Sequence, residues 1–437
     1  HGTQEDHMRR IRTVRAVTAE MGIHAGILLD LQGPKIRLGT FENGRVELRT
    51  GQTFTITTEK LVGNQERAST VYAEFAKDVK EGDTVLLNDG ACELRVQSTD
   101  GIQAVCEVVS GGPIGDRKGI NLPGVQVSTP SLTRKDMADL QMGLECDIDF
   151  VALSFVRKPM DVLRLRHFLE EREVKIPVIS KIEKPEAVQN LDEILAESDG
   201  VMVARGDLGV EMALEKVPFI QKSIIEKARK RGKFVITATQ MLESMIEHSV
   251  PTRAEVSDVA NAIYDGTDAV MLSAETSAGR YPVEAVRMMN RIAEQTEIAI
   301  RQRDFGREVE AEHPSIPDII ADAAYQAARR LGASAIAVFT AGGASARLVA
   351  KYRPPVPVIA FTPLESAARQ LTVSYGITSI VSENLGSTDE MLAVMDRLLQ
   401  ERGLVKKKDP VVFVAGQPIG RPGTTNMFKV HRIGEAR

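Results

Sequence analysis

Ile179-Ser180-Lys181-Ile182-Glu183-Lys184 and Val201-Met202-Val203-Ala204-Arg205-Gly206-Asp207-Leu208-Gly209 decide how this chain folds. Each stretch opens on a short apolar run, Pro177-Val178-Ile179 in one case and Val201 to Ala204 in the other, of the kind buried on both faces of a parallel sheet. Each then runs straight into charge, where a strand buried only for packing would end in a turn. Side chains two apart on a strand share a face, so extension to Glu183 sets the Lys181 ammonium beside a carboxylate. Asp207 is expected at the end of the next strand. Two carboxylates and a lysine converging from neighbouring strand ends suit a divalent cation and an anionic oxygen substrate. A buried ion-pair network is the alternative, because structural networks also cluster charge.

The same rhythm extends outward in both directions. Apolar runs at Ala25 to Leu29, Phe150 to Leu153, Val178-Ile179, Val201 to Ala204, Phe234 to Thr237 and Ala269 to Leu272 are joined, after Phe150, by amphipathic helical patterns. Each run delivers polar residues just past its end: Asp30, Ser154, Lys181 with Glu183, Asp207, Thr239, then Ser273 with Glu275. Parallel βα units closing into an eight-stranded barrel place an active site at that face. Six such strands do not close a barrel, so two more, with some site residues, are expected ahead of His1. Gln4 to Met21 reads as a helix whose Met8, Ile11, Val14 and Val17 form a stripe to lay on the sheet.

Between Asp30 and the helical pattern at Leu132 to Leu144, which Ser131 or Thr133 would cap, the period changes to two. Val46 to Leu48, Phe54 to Ile56, Thr84 to Leu87, Glu93 to Val96 and Val105 to Val108 alternate between Gly and Asn/Asp turns, as an inserted all-β domain does. A third region past Arg303 alternates strands (Ala335 to Phe339, Val356 to Phe361, Thr378 to Val381, Val411 to Val414) with helices, as a separate α/β domain. The divisions are residues 1–36 and 130–302 for the barrel, 37–129 for the β insertion and 303–437 for the C-terminal domain. In that last domain, Thr340-Ala341-Gly342-Gly343-Ala344-Ser345 follows a strand and opens a helix, so it either cradles a phosphate or is an ordinary tight turn. Gly416 to Asn426, with Arg421, Thr424 and Thr425, is a second polar loop able to face it.

A net charge of −5 gives no basic excess for nucleic acid, though a local cationic cleft for an anionic metabolite remains compatible with it. Cys92, Cys106 and Cys146 have no metal or redox spacing, which fits a reducing cytoplasm. No apolar run approaches the ~18 residues of a membrane span.

Five ordered motifs resemble the pyruvate kinase family: Ile179 to Lys184, Met202 to Glu211, Thr237-Ala-Thr-Gln-Met-Leu-Glu-Ser-Met245, Pro251-Thr-Arg-Ala-Glu-Val-Ser-Asp-Val-Ala-Asn261 and Asp268-Ala-Val-Met-Leu-Ser-Ala-Glu-Thr276. The resemblance implies a (β/α)8 TIM barrel with an inserted β-barrel lid and a C-terminal α/β domain, transferring a phosphoryl group from phosphoenolpyruvate to ADP. By that likeness Glu183 and Asp207 match the ligands of Mg²⁺ or Mn²⁺, and Lys181 the lysine at the transferring group. Thr239 matches the threonine at the face where the enolate is protonated, and Gly206 and Asp207 offer backbone N–H groups to the substrate carboxylate, with Ser154, Ser273 and Glu275 in support. His1, Arg37, Lys118 and Asp89 resemble residues that handle the nucleotide and its metal. Many members need K⁺ and carry Thr and Glu where this chain has Leu31 and Lys35, beside Asp30; a subgroup with Leu and Lys does not need it, so no K⁺ requirement is expected. The resemblance also implies a homotetramer. The hydroxyls and N–H groups of the two C-terminal loops, with Arg421, together suit a phosphate, so a sugar-phosphate or nucleotide effector is expected at Thr340, Ser345, Arg421 and Thr424. A metal-dependent 2-oxo-acid lyase on the same barrel would also want Glu183 and Asp207, but has no use for Arg37 and a lid carrying Asp89 and Lys118.

Overall fold

The computed structural model describes residues 2–300, 314–419 and 423–435. Six parallel strands, β1 (Leu28–Asp30), β10 (Phe150–Leu153), β11 (Val178–Ile182), β12 (Gly200–Ala204), β13 (Phe234–Ala238) and β14 (Ala269–Val270), pair strictly in chain order. Helices such as Pro159–Glu170, Val217–Lys230 and Arg253–Asp265 make the crossovers. Consecutive neighbours with helical returns are the order of a (β/α)8 barrel wall. Alternation along each strand then assigns the faces. Val151, Leu153, Val178, Val201 and Val203 pack outward with Leu165 and Ile224 of the helices, whereas Phe150, Ala152, Ile179 and Met202 pack on the inner side. Lys181 and Glu183 continue the inner row begun by Ile179, so the charge emerges inside the barrel mouth.

The lid leaves the barrel after β1 and returns at the helix Arg134–Glu145. It holds β2 (Arg45–Leu48), β3 (Thr53–Thr57), β4 (Arg67–Ser69), β5 (Thr84–Leu87), β6 (Cys92–Thr99), β7 (Gln103–Ser110), β8 (Gly112–Gly115) and β9 (Ile120–Asn121). One sheet runs β4-β3-β7-β6-β5-β9 and β2 pairs with β8, closing over Phe54, Ile56, Leu94 and Val108. Cys106 lies in that core, where burial pushes its thiol up to about 12, so it is inert at neutral pH.

The C-terminal domain is the sheet β17-β16-β15-β18-β19, from β15 (Ala335–Phe339), β16 (Val358–Thr362), β17 (Ile377–Val381), β18 (Pro410–Gly416) and β19 (Thr425–Arg432). Only the β18–β19 pair is antiparallel. Among the described residues no helix is long and apolar enough to cross a membrane.

Three expectations change, and one left open between two residues is decided. The helix Gln4–Met21 buries Ile11, but Val14 and Val17 stand 41% and 46% exposed. Steps of three residues slip about 60° each around a 3.6-residue turn, so the stripe winds off the packed face. Thr133, not Ser131, caps Arg134–Glu145, while Ser131 Oγ donates to the Phe155 carbonyl. β12 stops at Ala204, and Asp207 lies in the helix Arg205–Glu211 instead of ending the strand. The strands β4, β8, β9 and β19 are additional to those expected. The first three are short, and β19 is an edge strand whose buried and exposed residues do not alternate.

Candidate active site

Inside the barrel mouth, Lys181 Nζ donates to Ser154 Oγ at 2.9 Å and lies 3.0 Å from Glu183 Oε1 and 3.2 Å from Asp30 Oδ1. Burial works against this ammonium, but Glu183 and Asp30 outweigh it and hold Lys181 charged well above the usual lysine range. Glu183 is 1% exposed, and its second oxygen accepts from the Phe155 backbone N–H at 2.8 Å. Asp207 stands opposite. Burial, followed by the nearby Glu183 carboxylate, raises its pKa above the ordinary aspartate value, while Lys181 and Lys35 pull it down. A partly buried aspartate facing a second, buried carboxylate is a setting that a divalent cation relieves.

Thr239 occupies left-handed backbone at φ 69°, and Gln240 follows at φ 52°. For a β-branched residue this costs roughly 1–3 kcal/mol unless the surroundings hold it. Arg205 supplies that hold. Its guanidinium donates to the Thr239 carbonyl at 2.6 Å while bound at 2.6 Å to Asp258 on the helix Arg253–Asp265. Thr239 Oγ1 donates to the Ala238 carbonyl at 2.6 Å and accepts from Gly206 N–H at 2.7 Å, so that N–H is engaged within the protein. Glu275 is tied to the backbone N–H groups of Leu242 and Ser273 and braces the neighbouring loop.

Next to this cluster a cavity of about 270 Å³ is lined by Lys35, Arg37, Asp89, Lys118, Lys184, Arg157 and Asp207 among others. The lid and the barrel each contribute walls to it. Arg37 is kept in place by donation to the Arg117 carbonyl at 3.1 Å. Asp89 reaches the cavity from a left-handed turn at φ 54°. Leu31 is buried in the barrel core, Asp30 is bound by Lys181, and Lys35 is exposed beyond the left-handed Gly33. His1 lies outside the described residues.

Thr340, Ser345 and Thr424 line a separate cavity of about 200 Å³ in the C-terminal domain. There Thr340 Oγ1 accepts from Gly343 N–H at 3.0 Å, and Ser345 Oγ lies 2.6 Å from Thr425 Oγ1. Arg421 lies outside the described residues. Sequence reasoning brought out neither the structural use of Arg205 and Asp258 nor that of Arg157, whose guanidinium holds the Val127 and Thr129 carbonyls. Arg205 and Asp258 fall within quoted motifs, but no spacing announces a clamp between residues 53 apart.

A barrel with a lysine and two carboxylates at its mouth, a β lid contributing cations across a cavity, and an appended α/β domain defines a lidded enzyme for anionic substrates. Residues 1–286 match the family model described as pyruvate kinase, barrel domain, and residues 318–431 match pyruvate kinase, alpha/beta domain. The chain is 46% identical over 439 residues to a pyruvate kinase of Geobacillus stearothermophilus, covering 100% of this chain and 75% of that one. It is 46% identical over 436 residues to a pyruvate kinase of Clostridium acetobutylicum, covering 99% and 92%. A crystal structure of a pyruvate kinase from Cryptosporidium parvum superposes with a TM-score of 0.93 at 38% identity, over 99% of this chain and 89% of that one. The chain belongs to the pyruvate kinase family.

Proposed function

We propose that this chain transfers the phosphoryl group of phosphoenolpyruvate to ADP, giving pyruvate and ATP in glycolysis, with the barrel-mouth cluster and the lid cavity as its two half-sites. The observation that carries the assignment of residues is their adjacency. Lys181, Glu183 and Asp207 converge inside the barrel, and Asp207 also lines the cavity holding Arg37, Asp89 and Lys118. Phosphoryl transfer asks little covalent work of a protein and much neutralisation of charge around the moving group.

Glu183 and Asp207 are the residues to hold Mg²⁺ or Mn²⁺. Their chemistry fits, since Mg²⁺ takes one or two carboxylates and completes its shell with water and substrate oxygens. Bound there, the metal would screen substrate oxygens and polarise the enolate. Lys181 sets its fixed charge against the phosphoryl oxygens. Ser154 and Asp30 keep its head from swinging away. Thr239, with its strained backbone clamped by Arg205, holds a hydroxyl where the enolate carbon takes its proton, beside the helix-start N–H of Asp207 for the substrate carboxylate. Arg37, Lys118, Asp89 and, by likeness, His1 serve the ADP phosphates and the metal they carry.

Lys35 supplies the charge that K⁺ brings in many relatives, so K⁺ is not required. Thr340, Ser345, Thr424 and Arg421 take an anionic effector, a sugar phosphate or nucleoside monophosphate. The domain divisions at 36/37, 129/130 and 302/303, a cytoplasmic location and homotetrameric assembly belong to the same reading. The lyase alternative gives the lid cations no task.

A coupled assay of ADP-dependent pyruvate formation tests the assignment. Glu183→Gln keeps the shape, removes a charge, and is expected to cut turnover by at least about a hundredfold, or ~2.7 kcal/mol of barrel-site stabilisation, and to weaken Mg²⁺ activation. Kinetics like the unmodified protein's would overturn it.

A further inference from the structure

Lys184 follows Glu183 directly, yet its side chain turns toward the nucleotide cavity and binds Glu211 Oε1 at 2.5 Å. Glu211 ends the helix Arg205–Glu211, the one that carries Asp207, and is 5% exposed. The same Oε1 accepts from Asn121 Nδ2 of the lid at 3.2 Å, while Oε2 is buried without a partner. A buried carboxylate with one oxygen shared and the other unmet is poorly built for stability alone. Its lid partner has a strategic address. Asn121 lies on β9, which pairs with β5 through Leu86–Asn121 and Leu87–Ile120. The chain leaves β5 into Asn88 and Asp89, and Asn88 N–H donates to the Gly119 carbonyl at 3.0 Å. Lys118 stands just ahead of β9. One lid edge therefore carries both Asp89 and Lys118, and among the described residues Asn121 to Glu211 is the side-chain hydrogen bond joining that edge to the barrel.

We propose that Asn121, Glu211 and Lys184 form a lid latch: Glu211 is a positioning residue that docks the β5–β9 edge on the helix bearing Asp207, setting Asp89 and Lys118 opposite it. Lys184 pairs with Glu211 at 2.5 Å and fixes its carboxyl group in place, so the amide of Asn121 meets an acceptor already oriented toward the lid. The device acts on closure over the nucleotide, and in that respect rests on the assignment of this cavity to ADP. Hydrogen exchange of the lid reads the latch without that assignment.

Asn121→Leu keeps the side-chain volume and removes the bond. It is expected to raise KM for ADP about tenfold or more, as loss of a hydrogen bond to a charged group does, while KM for phosphoenolpyruvate and the unfolding temperature stay near their original values. Asn121→Asp, which sets two carboxylates together, should act more strongly than Asn121→Leu. In both variants, exchange should quicken in residues 84–89 and 118–121 and not in β10 to β13. Faster lid exchange with unchanged KM for ADP keeps the latch and overturns the nucleotide assignment of the cavity. Unchanged lid exchange, or an equal rise in both KM values with a lowered unfolding temperature, overturns the latch.

Discussion

Lys181 holds one positive charge among Glu183, Asp30 and Ser154, and that placement separates two chemistries. On the proposed assignment its charge would answer phosphoryl oxygens, whereas enolisation of pyruvate would draw on the Glu183 and Asp207 carboxylates, their metal and Thr239. Lys181→Met is therefore expected to abolish ATP formation and retain metal-dependent exchange of the pyruvate methyl protons with solvent. Proton NMR in D₂O reads the exchange directly, and parallel loss of both activities would refute the division of labour. The same substitution leaves buried Glu183 without its cation, which costs about 3–5 kcal/mol when one partner of a buried pair is removed. A melt in the presence of a chelator should show that loss. Lys181, Glu183 and Asp207 stood out as candidates before any fold, because charge directly after a buried run points either to a site or to a buried ion-pair network. Their spacing in three dimensions was not legible, since Asp207 reaches the site from a helix start rather than a strand.

At the scale of an element, the turn Gly33 to Arg37 joins the first barrel strand to the lid. Gly33 sits at φ 66°, where a Cβ would lie 2.7 Å from the Phe155 ring, so the tight turn depends on its bare backbone. The turn carries Lys35 out beside Asp207, whose carboxylate feels its charge. Leu31, by contrast, is core. On the proposed reading a covalent ammonium in that volume would replace a bound monovalent cation and repel it. Activity in tetramethylammonium buffer with Mg²⁺ is expected to be nearly complete, and Lys35→Glu should acquire a K⁺ requirement. If K⁺ raises the unmodified rate more than about tenfold, or ~1.4 kcal/mol of barrier, Lys35 does not stand in for the ion.

Across the whole molecule, the C-terminal domain grips the barrel through arginines. Arg369 binds Asp149 at 2.7 Å and Asp147 at 2.8 Å, and Arg353 binds Asp268 at 2.9 Å. Asp149 and Asp268 precede β10 and β14, so the grip is on the strand starts, opposite the catalytic mouth. A ligand in the Thr340 to Ser345 cavity changes activity only through a difference in its affinity for two arrangements of these domains. Sugar phosphates or nucleoside monophosphates are expected to lower the half-saturation for phosphoenolpyruvate. Ser345→Glu, which brings a carboxylate into the cavity, and Arg421→Ala should each remove that response; activation intact in both would move the effector site elsewhere.

Strand-end chemistry, the period-two insertion and the βα rhythm were all written locally, because burial on both faces demands continuous apolar runs and a half-buried sheet demands alternation. These determined the barrel and the lid and marked Lys181, Glu183, Asp207 and Thr239 as candidates. Tertiary structure alone decided what touches what. The Arg205 to Asp258 clamp on Thr239, the Arg157 hold on the segment returning from the lid and the Asn121–Glu211–Lys184 contact each join residues 30 or more positions apart in at least one bond. Pattern says that a side chain is apolar or charged, but only the assembled fold sets the distance to its partner, and the energy of every such contact depends on that distance.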